Sequence, residues 1–208
     1  MAKRSIVYVD GFNLYYGALR GTPYKWLDLE AYFTRLRQDD EIQHIRYFTA
    51  RVAGAARQRQ DAYLRALATL PSVDVVLGRF RTRRVRCQVA ACVHAGDRMF
   101  SAPEEKRTDV DIAVTMLDDA YQDLCERFVI VSGDSDLVPA VDQFKARFPG
   151  KEVIVYVPAR TAIRGAATEL RGAADKDRTL PLELLRHCQL PASVADGAGA
   201  TIQKPAGW

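Results

Sequence analysis

Residues 128–136 read FVIVSGDSD, an apolar, β-branched run that ends in two aspartates. Such a run, bounded by Ser, Gly and Asp, predicts a buried strand followed by a turn. Residues 5–9, SIVYV, have the same character and lead directly into Asp10. Because ligands of an open parallel sheet lie outside the carboxyl ends of its strands, we expect both acidic strand ends to face one crevice.

Apolar segments alternate with amphipathic segments along the rest of the chain. This alternation predicts at least five βα units, which build a parallel sheet. An irregular stretch near 81–105 predicts a small inserted hairpin. The other predicted strands cover residues 45–50, 73–80 and 152–157, and the predicted helices cover residues 28–37, 55–69, 137–147, a segment that begins at Thr108, and two pieces within 163–187.

The composition fits a single α/β domain, which we place at residues 1–188, followed by a C-terminal tail at 189–208. With 208 residues, of which 48% are hydrophobic, the chain is long enough to bury a core. It has no apolar run of about 18 residues and no signal-peptide pattern, which predicts a cytosolic protein without a membrane partner. The net charge of +4 is too small to demonstrate a polyanionic partner.

Carboxylates follow the first strand at Asp10 and the later strand at Asp134 and Asp136. Asp109 and Asp111 lie in the first turn of a helix, and residues two apart cannot share one helix face. We therefore expect one of them, preferably Asp109, to join the site, with Asp111 in a supporting role. Crowded carboxylates raise one another's pKa, and a divalent cation relieves that conflict. Mg²⁺ bound in this way can polarise a phosphate oxygen and activate a water, which is phosphodiester hydrolysis chemistry. Each motif taken alone is also typical of a turn or a helix cap.

The segments YVDGFNLYYG, EEKRTDVDIAV and FVIVSGDSDLVPAV resemble the signature motifs of the NYN domain, over roughly residues 4–158. This family is a branch of the PIN-like nucleases that is related to the LabA-type bacterial proteins. The resemblance implies a Rossmann-like, three-layer α/β sandwich with a central, mostly parallel sheet of the PIN-like type. It also implies a metal-dependent endoribonuclease that uses Mg²⁺ or Mn²⁺.

The same resemblance implies roles for individual residues. Ser132 and Ser135 are candidates to hydrogen-bond the carboxylates, although both are equally typical of turns. Taken alone, the asparagine of the first motif is also typical of a turn or a helix cap. The residues to which the resemblance gives a catalytic role are the metal-binding Asp10, Asp109, Asp134 and Asp136, together with Asn13.

Two departures from the family pattern lie in or just before the motif that contains Asp109. Many relatives read Lys-Gly-x-Asp where this chain has Lys106-Arg107-Thr108-Asp109, so we expect a different backbone there. Some relatives carry a cysteine-rich insertion, and Cys87, Cys92 and His94 occupy the corresponding place. Their spacing is not that of a standard zinc ribbon. A structural Zn²⁺ at Cys87, Cys92 and His94 is therefore disfavoured, and reduced thiols are expected.

RNA, single-stranded or structured, is the expected partner, largely on the strength of the resemblance, and a homodimer is left open. Phe80 is placed to stack on a base, and Tyr15, Tyr16, Tyr24 and Trp26 are candidates for a stacking lip. Core packing and a solvated hairpin edge explain the same residues without RNA. The residues proposed to contact the phosphate backbone are Arg79, Arg81, Arg83, Arg84, Arg86 and Lys106.

Other functional classes fit the sequence less well. A non-catalytic metal-binding or RNA-binding module of the same fold is the main alternative to the nuclease, and the intact acidic set argues against it. A phosphatase of the haloacid dehalogenase type requires a second aspartate where Phe12 stands. The sequence contains neither a G-x-x-x-x-G-K-[ST] loop nor a G-x-G-x-x-G fingerprint, which argues against nucleotide-powered and dinucleotide chemistry.

Overall fold

A computed structural model describes residues 2–160, 167–197 and 199–208, and gives only the backbone of residues 81–82 and 102–106. The strands are β1 (Lys3–Asp10), β2 (Asp40–Thr49), β3 (Val73–Leu77), β4 (Arg79–Arg86), β5 (Met99–Lys106), β6 (Arg127–Val131), β7 (Glu152–Val157), β8 (Lys176–Thr179), β9 (Ser193–Ala195) and β10 (Thr201–Gln203). The α-helices are α1 (Gly11–Leu14), α2 (Leu29–Leu36), α3 (Ala56–Leu67), α4 (Thr108–Tyr121), α5 (Val138–Arg147) and α6 (Thr168–Ala173). A π-helical turn covers Tyr15–Leu19, and 3₁₀ turns cover Ser135–Leu137 and Leu182–His187.

Six of the strands form a central sheet in the order β3-β2-β1-β6-β7-β8. All neighbouring strands in this sheet run parallel. The two central strands, β1 and β6, are buried along most of their length, as expected for a sheet covered on both faces. All six strands therefore end at one edge, which we call the carboxyl edge, and begin at the opposite edge, the amino edge.

Helices cover both faces of the sheet and create two hydrophobic cores. Side chains alternate along β1, so that Val7 and Val9 pack under α2, α3 and the π-helical turn. Ile6 and Tyr8 belong to the opposite core, which α4, α5 and α6 cover. This three-layer α/β sandwich with a parallel sheet confirms the predicted fold class.

The structure contains two small additions to this sandwich. The strands β4 and β5 pair antiparallel as a hairpin, from Arg79 opposite Lys106 to Arg86 opposite Met99. The C-terminal tail packs on the first core, where Ile202 is buried and Trp208 meets Tyr63 with ring centroids 5.5 Å apart. The predicted domain division at residue 188 stays a prediction, and the tail closes one side of the fold.

One predicted region is confirmed only in part. Residues 163–187 were expected to be helical in two pieces, and the described residues there include α6 (Thr168–Ala173) and the 3₁₀ turn Leu182–His187. Residues 176–179 instead form β8, a parallel edge strand whose four side chains are all exposed. Its sequence, KDRT, has no apolar residue, so the hydrophobic pattern used to recognise strands is missing. Residues 163–166 of the predicted helix lie outside the described residues.

Candidate active site

Asp10 lies at the carboxyl edge, in the middle of the sheet. It is the last residue of β1 and pairs with Phe48 of β2, while Val9 beside it pairs with Val131, the last residue of β6. Asp10 is only 4% exposed. A carboxylate at this position is therefore enclosed by the ends of three neighbouring strands.

Four hydrogen bonds fix the Asp10 carboxylate, and all come from neutral donors. Oδ1 accepts the backbone N–H groups of Phe12, at 3.0 Å, and Asn13, at 2.9 Å. Oδ2 accepts the Asn13 Nδ2 donor at 2.5 Å and the Ser132 hydroxyl at 3.1 Å. Asp10 thus caps α1, and its orientation is set before any ligand arrives.

Asn13 joins the two central strand ends. Its Nδ2 donates to Asp10, and its Oδ1 accepts the backbone N–H of Gly133 at 3.1 Å. The structure therefore gives Asn13 a contact that positions Asp10.

Burial raises the pKa of Asp10 above its ordinary value, against the opposing effect of its hydrogen bonds from Asn13, Ser132 and Phe12. Desolvation disfavours the ionised carboxylate, and an adjacent cation would favour it. Within the described part of the chain, Asp10 forms no ion pair. A buried carboxylate with a perturbed pKa and no cation beside it is a candidate functional group.

The second acidic motif continues from Ser132. The Ser132 hydroxyl accepts the backbone N–H of Asp134 at 3.1 Å while it donates to Asp10, so one hydroxyl connects the two motifs. Asp134 caps the following 3₁₀ turn, because its Oδ1 accepts the N–H of Asp136 at 3.0 Å. Asp134 is half-buried, whereas Ser135 and Asp136 are exposed. Asp134 is thus the nearer of the two aspartates to Asp10 along this path.

The third motif enters from the start of α4. Asp109 and Asp111 are half-buried in its first turn, and α4 packs against β1 and the 3₁₀ turn. Arg107 precedes the helix with φ +86°, a left-handed conformation that favours glycine. Arg107 thus adopts the backbone conformation that suits the glycine of the motif described in the sequence analysis, so the structure does not support the expected difference in backbone.

The ligands that a divalent metal ion requires can be compared with the side chains present at the carboxyl edge. Mg²⁺ is usually held by one or two carboxylates, with waters and substrate phosphates as its other ligands. Asp10 and Asp134, whose segments the Ser132 hydroxyl connects, are the proposed members of that smaller donor set. Among the described residues, no three His, Cys, Asp or Glu side chains lie close enough to hold an ion together. The site of four aspartates therefore stays a prediction.

The arginine-rich hairpin rises from this edge. Alternation along β4 divides its arginines between two faces, with Arg84 and Arg86 opposite Arg79 and Arg83. The four are exposed, and Arg84 forms an ion pair with Asp97 at 3.2 Å. Phe80 meets Phe12 edge to face, with centroids 5.5 Å apart, which fixes the base of the hairpin beside Asp10. The side chains of Arg81 and Lys106 lie outside the described residues.

The proposed stacking lip is only partly exposed. Tyr16 is 58% exposed and Tyr15 and Tyr24 are half-buried, but Trp26 is completely buried and donates its Nε1–H to the Pro191 carbonyl. Trp26 therefore serves the core and cannot stack on a base. Cys87 and Cys92 form no disulfide with any described residue, and the absence of Zn²⁺ from them stays a prediction.

A pocket of about 240 Å³ opens next to Asp10, between α1, α3 and the end of β2. Its aromatic wall consists of Phe12, Tyr15, Tyr16, Tyr47, Tyr63 and Trp208, and Lys25 and Arg59 add two cations. Gly11 is part of the wall, and a Cβ there would lie 2.8 Å from the Tyr47 hydroxyl. The sequence did not identify Tyr47 or Arg59 as pocket residues. The position of Tyr47 near the end of a predicted strand was the one feature that could have indicated it.

Comparison with known proteins agrees with these motifs. The NYN domain model matches residues 4–182. The 6-hydroxy-3-succinoylpyridine 3-monooxygenase HspA of Pseudomonas putida is 31% identical over 237 aligned positions, which cover 99% of this chain and 75% of that protein.

A solved structure shows the same fold. The crystal structure of a Vibrio parahaemolyticus protein of unknown function superposes with a TM-score of 0.55 at 18% identity, covering 86% of this chain and 94% of that one. At this identity the likeness concerns the fold alone. The family model, however, spans most of the chain and includes all three acidic motifs. The chain therefore belongs to the NYN domain family.

Proposed function

We propose that this protein is a divalent-metal-dependent hydrolase that cleaves RNA phosphodiester bonds at the carboxyl edge. The observation that carries the proposal is the Asp10 carboxylate, which is 4% exposed and held only by neutral donors. Such a group is stabilised in its ionised form by a cation. Membership of the NYN family suggests a nuclease-like hydrolase and supports this chemistry.

The roles of the residues follow from their contacts. Asp10 and Asp134 are the carboxylates proposed to hold Mg²⁺ or Mn²⁺, with Asp109 and Asp136 as further proposed ligands and Asp111 and Ser135 in support. The bound ion supplies a polarised phosphate oxygen and an acidified water. Asn13 and Ser132 hold Asp10 in place through their hydrogen bonds. The hairpin arginines are proposed to bind the RNA phosphates, beside Phe80 and Tyr16.

A labelled-RNA cleavage assay tests the proposal. The parent protein is incubated with single-stranded and structured RNA in Mn²⁺, in Mg²⁺ and in EDTA, alongside Asp10→Asn and Asp134→Asn proteins shown by circular dichroism to be folded. We expect metal-dependent cleavage by the parent and a loss of cleavage in both variants. Variants that cut as fast as the parent would show that the assigned residues are wrong.

The assay also decides the non-catalytic alternative. A purified protein that binds RNA but never cuts it with either ion would indicate a binding module of the same fold. Arg83→Gln and Arg86→Gln should then weaken binding and reduce its salt dependence, because each removes a proposed phosphate contact.

A second candidate function is oxygenation of a small aromatic compound, the activity that the name of HspA states for that protein. The aromatic pocket beside Asp10 favours it, because ligand pockets are usually lined by aromatic residues with a few polar groups. A monooxygenase uses O₂ and a two-electron donor. The test therefore measures O₂ consumption and hydroxylated product with 6-hydroxy-3-succinoylpyridine, in the presence of NADH or NADPH and with or without added flavin. Consumption that does not depend on the pyridine would exclude this candidate.

The location of the protein also stays a prediction. Within the described residues, no helix is long and apolar enough to cross a membrane. The expected cytosolic location stays a prediction, and whether the protein forms a homodimer is a question for measurement.

A further inference from the structure

The pocket beside Asp10 contains a polar group that the fold does not use. Tyr47 lines the pocket and is only 6% exposed as a residue. Its hydroxyl makes no hydrogen bond to any described residue. By contrast, the hydroxyl of the neighbouring Tyr63 donates to the Leu27 carbonyl at 2.9 Å. Among the described residues, the buried polar side-chain atoms that lack a partner do not include this hydroxyl, so it is open to the pocket. A water or a ligand in the pocket can therefore accept its hydrogen bond.

The walls around this hydroxyl are flat and apolar. The rings of Tyr47 and Tyr63 meet at nearly right angles, with an interplanar angle of 88° and centroids 6.2 Å apart. Trp208 closes the same side through its contact with Tyr63. Surfaces made of ring faces and edges suit a planar aromatic ligand, which can stack or pack edge to face.

The charged lining residues are both cations. Arg59 is exposed and forms no ion pair within the described part of the chain. Lys25 donates one hydrogen bond, at 2.8 Å, to the Gly207 carbonyl, which leaves other donors on its ammonium group. A ligand with an anionic group at its outer end would complement both residues.

We propose that this pocket binds a planar aromatic ring with a hydrogen-bond acceptor at its inner edge and an anionic group at its outer edge. Tyr47 donates to the acceptor, and Arg59 and Lys25 attract the anion. A nucleotide and a free aromatic acid share this chemistry. The inference goes beyond the proposed nuclease, because it concerns a binding site that needs no metal and no turnover. Its free-acid form deepens the second candidate function, which was argued from the same pocket.

Calorimetric titration with EDTA present tests the proposal apart from any cleavage. The probes are the four 5′-ribonucleoside monophosphates, the planar acids nicotinate and benzoate, and cyclohexanecarboxylate as a non-planar acid. Tryptophan fluorescence, to which Trp208 at the pocket wall and the buried Trp26 both contribute, gives a second readout. We expect saturable binding of at least one planar class at millimolar concentration or below and weaker binding of cyclohexanecarboxylate. Binding of only nucleotides would identify an RNA base as the source of the ring, and binding of only free acids would identify a small molecule.

Two substitutions and their matched controls locate the site. Tyr47→Phe keeps the ring and removes only the unpaired hydroxyl, and should weaken binding by roughly 5–10-fold. Arg59→Gln should weaken it by roughly 2–5-fold, less so at high salt. Tyr121→Phe removes an exposed hydroxyl elsewhere, and Arg57→Gln removes a charge from α3 outside the pocket; neither should alter affinity.

Two results would overturn the inference. One is the absence of saturable binding by either planar class to the folded parent protein. The other is unchanged affinity in a Tyr47→Phe protein whose melting temperature matches that of the parent. Neither result affects the nuclease proposal, because RNA cleavage depends on Asp10 and is measured in the presence of metal.

Discussion

The two edges of the central sheet treat buried carboxylates in opposite ways. At the carboxyl edge, Asp10 receives hydrogen bonds only from neutral donors. At the amino edge, the fully buried Asp40 side chain forms ion pairs with both Arg37 and Arg127. Arg127 also contacts Glu152 at 2.8 Å, so the first residues of β2, β6 and β7 form one charged network.

The acidities of the two edges reflect this difference. Burial raises the pKa of Asp10, and its hydrogen bonds oppose the change without cancelling it. Burial would also raise the pKa of Glu152, but hydrogen bonds and ion pairs from Lys176, Arg127 and Lys3 outweigh it and lower the pKa to about 2. The amino edge therefore uses its carboxylates to hold the fold together. At the carboxyl edge, Asp10 has no ion pair with any described residue, which is the basis of the proposed cation site.

The largest effect is expected for Asp10→Asn. Altering a group that only orients a metal ligand typically costs about 10–100-fold, so loss of the proposed ligand should reduce metal-dependent RNA cleavage by more than about 100-fold. Stability should change little. Because its pKa is raised, ionised Asp10 disfavours folding at neutral pH, and the neutral amide removes that cost while losing part of the hydrogen bonding. We expect urea unfolding within about 1 kcal/mol of the parent. A large loss of stability with normal cleavage would mean that Asp10 stabilises the fold and does not serve cleavage.

Asp40→Asn should give the opposite pattern. Removing one partner of a buried ion pair typically costs about 3–5 kcal/mol, because the remaining charge is left without compensation. Arg37 and Arg127 would both lose their partner at Asp40. Urea denaturation should show this loss, whereas cleavage per folded molecule should equal that of the parent. A cleavage defect at temperatures where the variant is folded would mean that the two edges are coupled.

The contrast between the edges also shows what could be predicted from sequence. Asp10 and Asp134 were identified because each follows an apolar strand, and parallel strands end at the same edge. The Asp40–Arg127–Glu152 network was not predicted, because its members are separated by long stretches of chain and none lies in a motif. Tyr47 was missed for a related reason. Its segment, IRYFTA, predicts a strand, but nothing in it indicates which ring faces a pocket.

Asn13→Ala should have an intermediate effect. The substitution removes both the donor to Asp10 and the acceptor for the Gly133 N–H, so the carboxylate loses orientation and the two strand ends lose their bridge. Loss of such a positioning contact typically reduces metal affinity or activity by about 10–100-fold. Mn²⁺ titration followed by calorimetry and by RNA cleavage should show a weaker apparent metal affinity, with cleavage partly restored at high Mn²⁺.

The control for Asn13 is Gln43→Ala, which removes an amide from an exposed surface contact on β2. It should leave cleavage and metal affinity unchanged. If excess Mn²⁺ restores nothing in Asn13→Ala, the role of Asn13 as a positioning residue is contradicted, and a direct contact with the RNA becomes the better explanation.

The smallest effect is a change in the pH dependence of stability in Glu152→Gln. The pKa of Glu152 is lowered in the folded protein from its ordinary 4.5 to about 2, so its stabilising effect is complete above the ordinary value and disappears as the pH falls to about 2. The partners of Glu152 are partly exposed and screened by water, and we therefore expect the variant to be less stable by only about 1–2 kcal/mol at neutral pH.

This difference should shrink steadily as the solution is acidified and vanish where the parent carboxylate is also protonated. Urea unfolding across the acid range measures it, and high salt should reduce it at neutral pH. Glu41→Gln is the matched control, because Glu41 is exposed at the same edge and forms no ion pair among the described residues. A difference for Glu152→Gln that grows toward low pH would mean that the carboxylate opposes folding, as the buried charge at the carboxyl edge does.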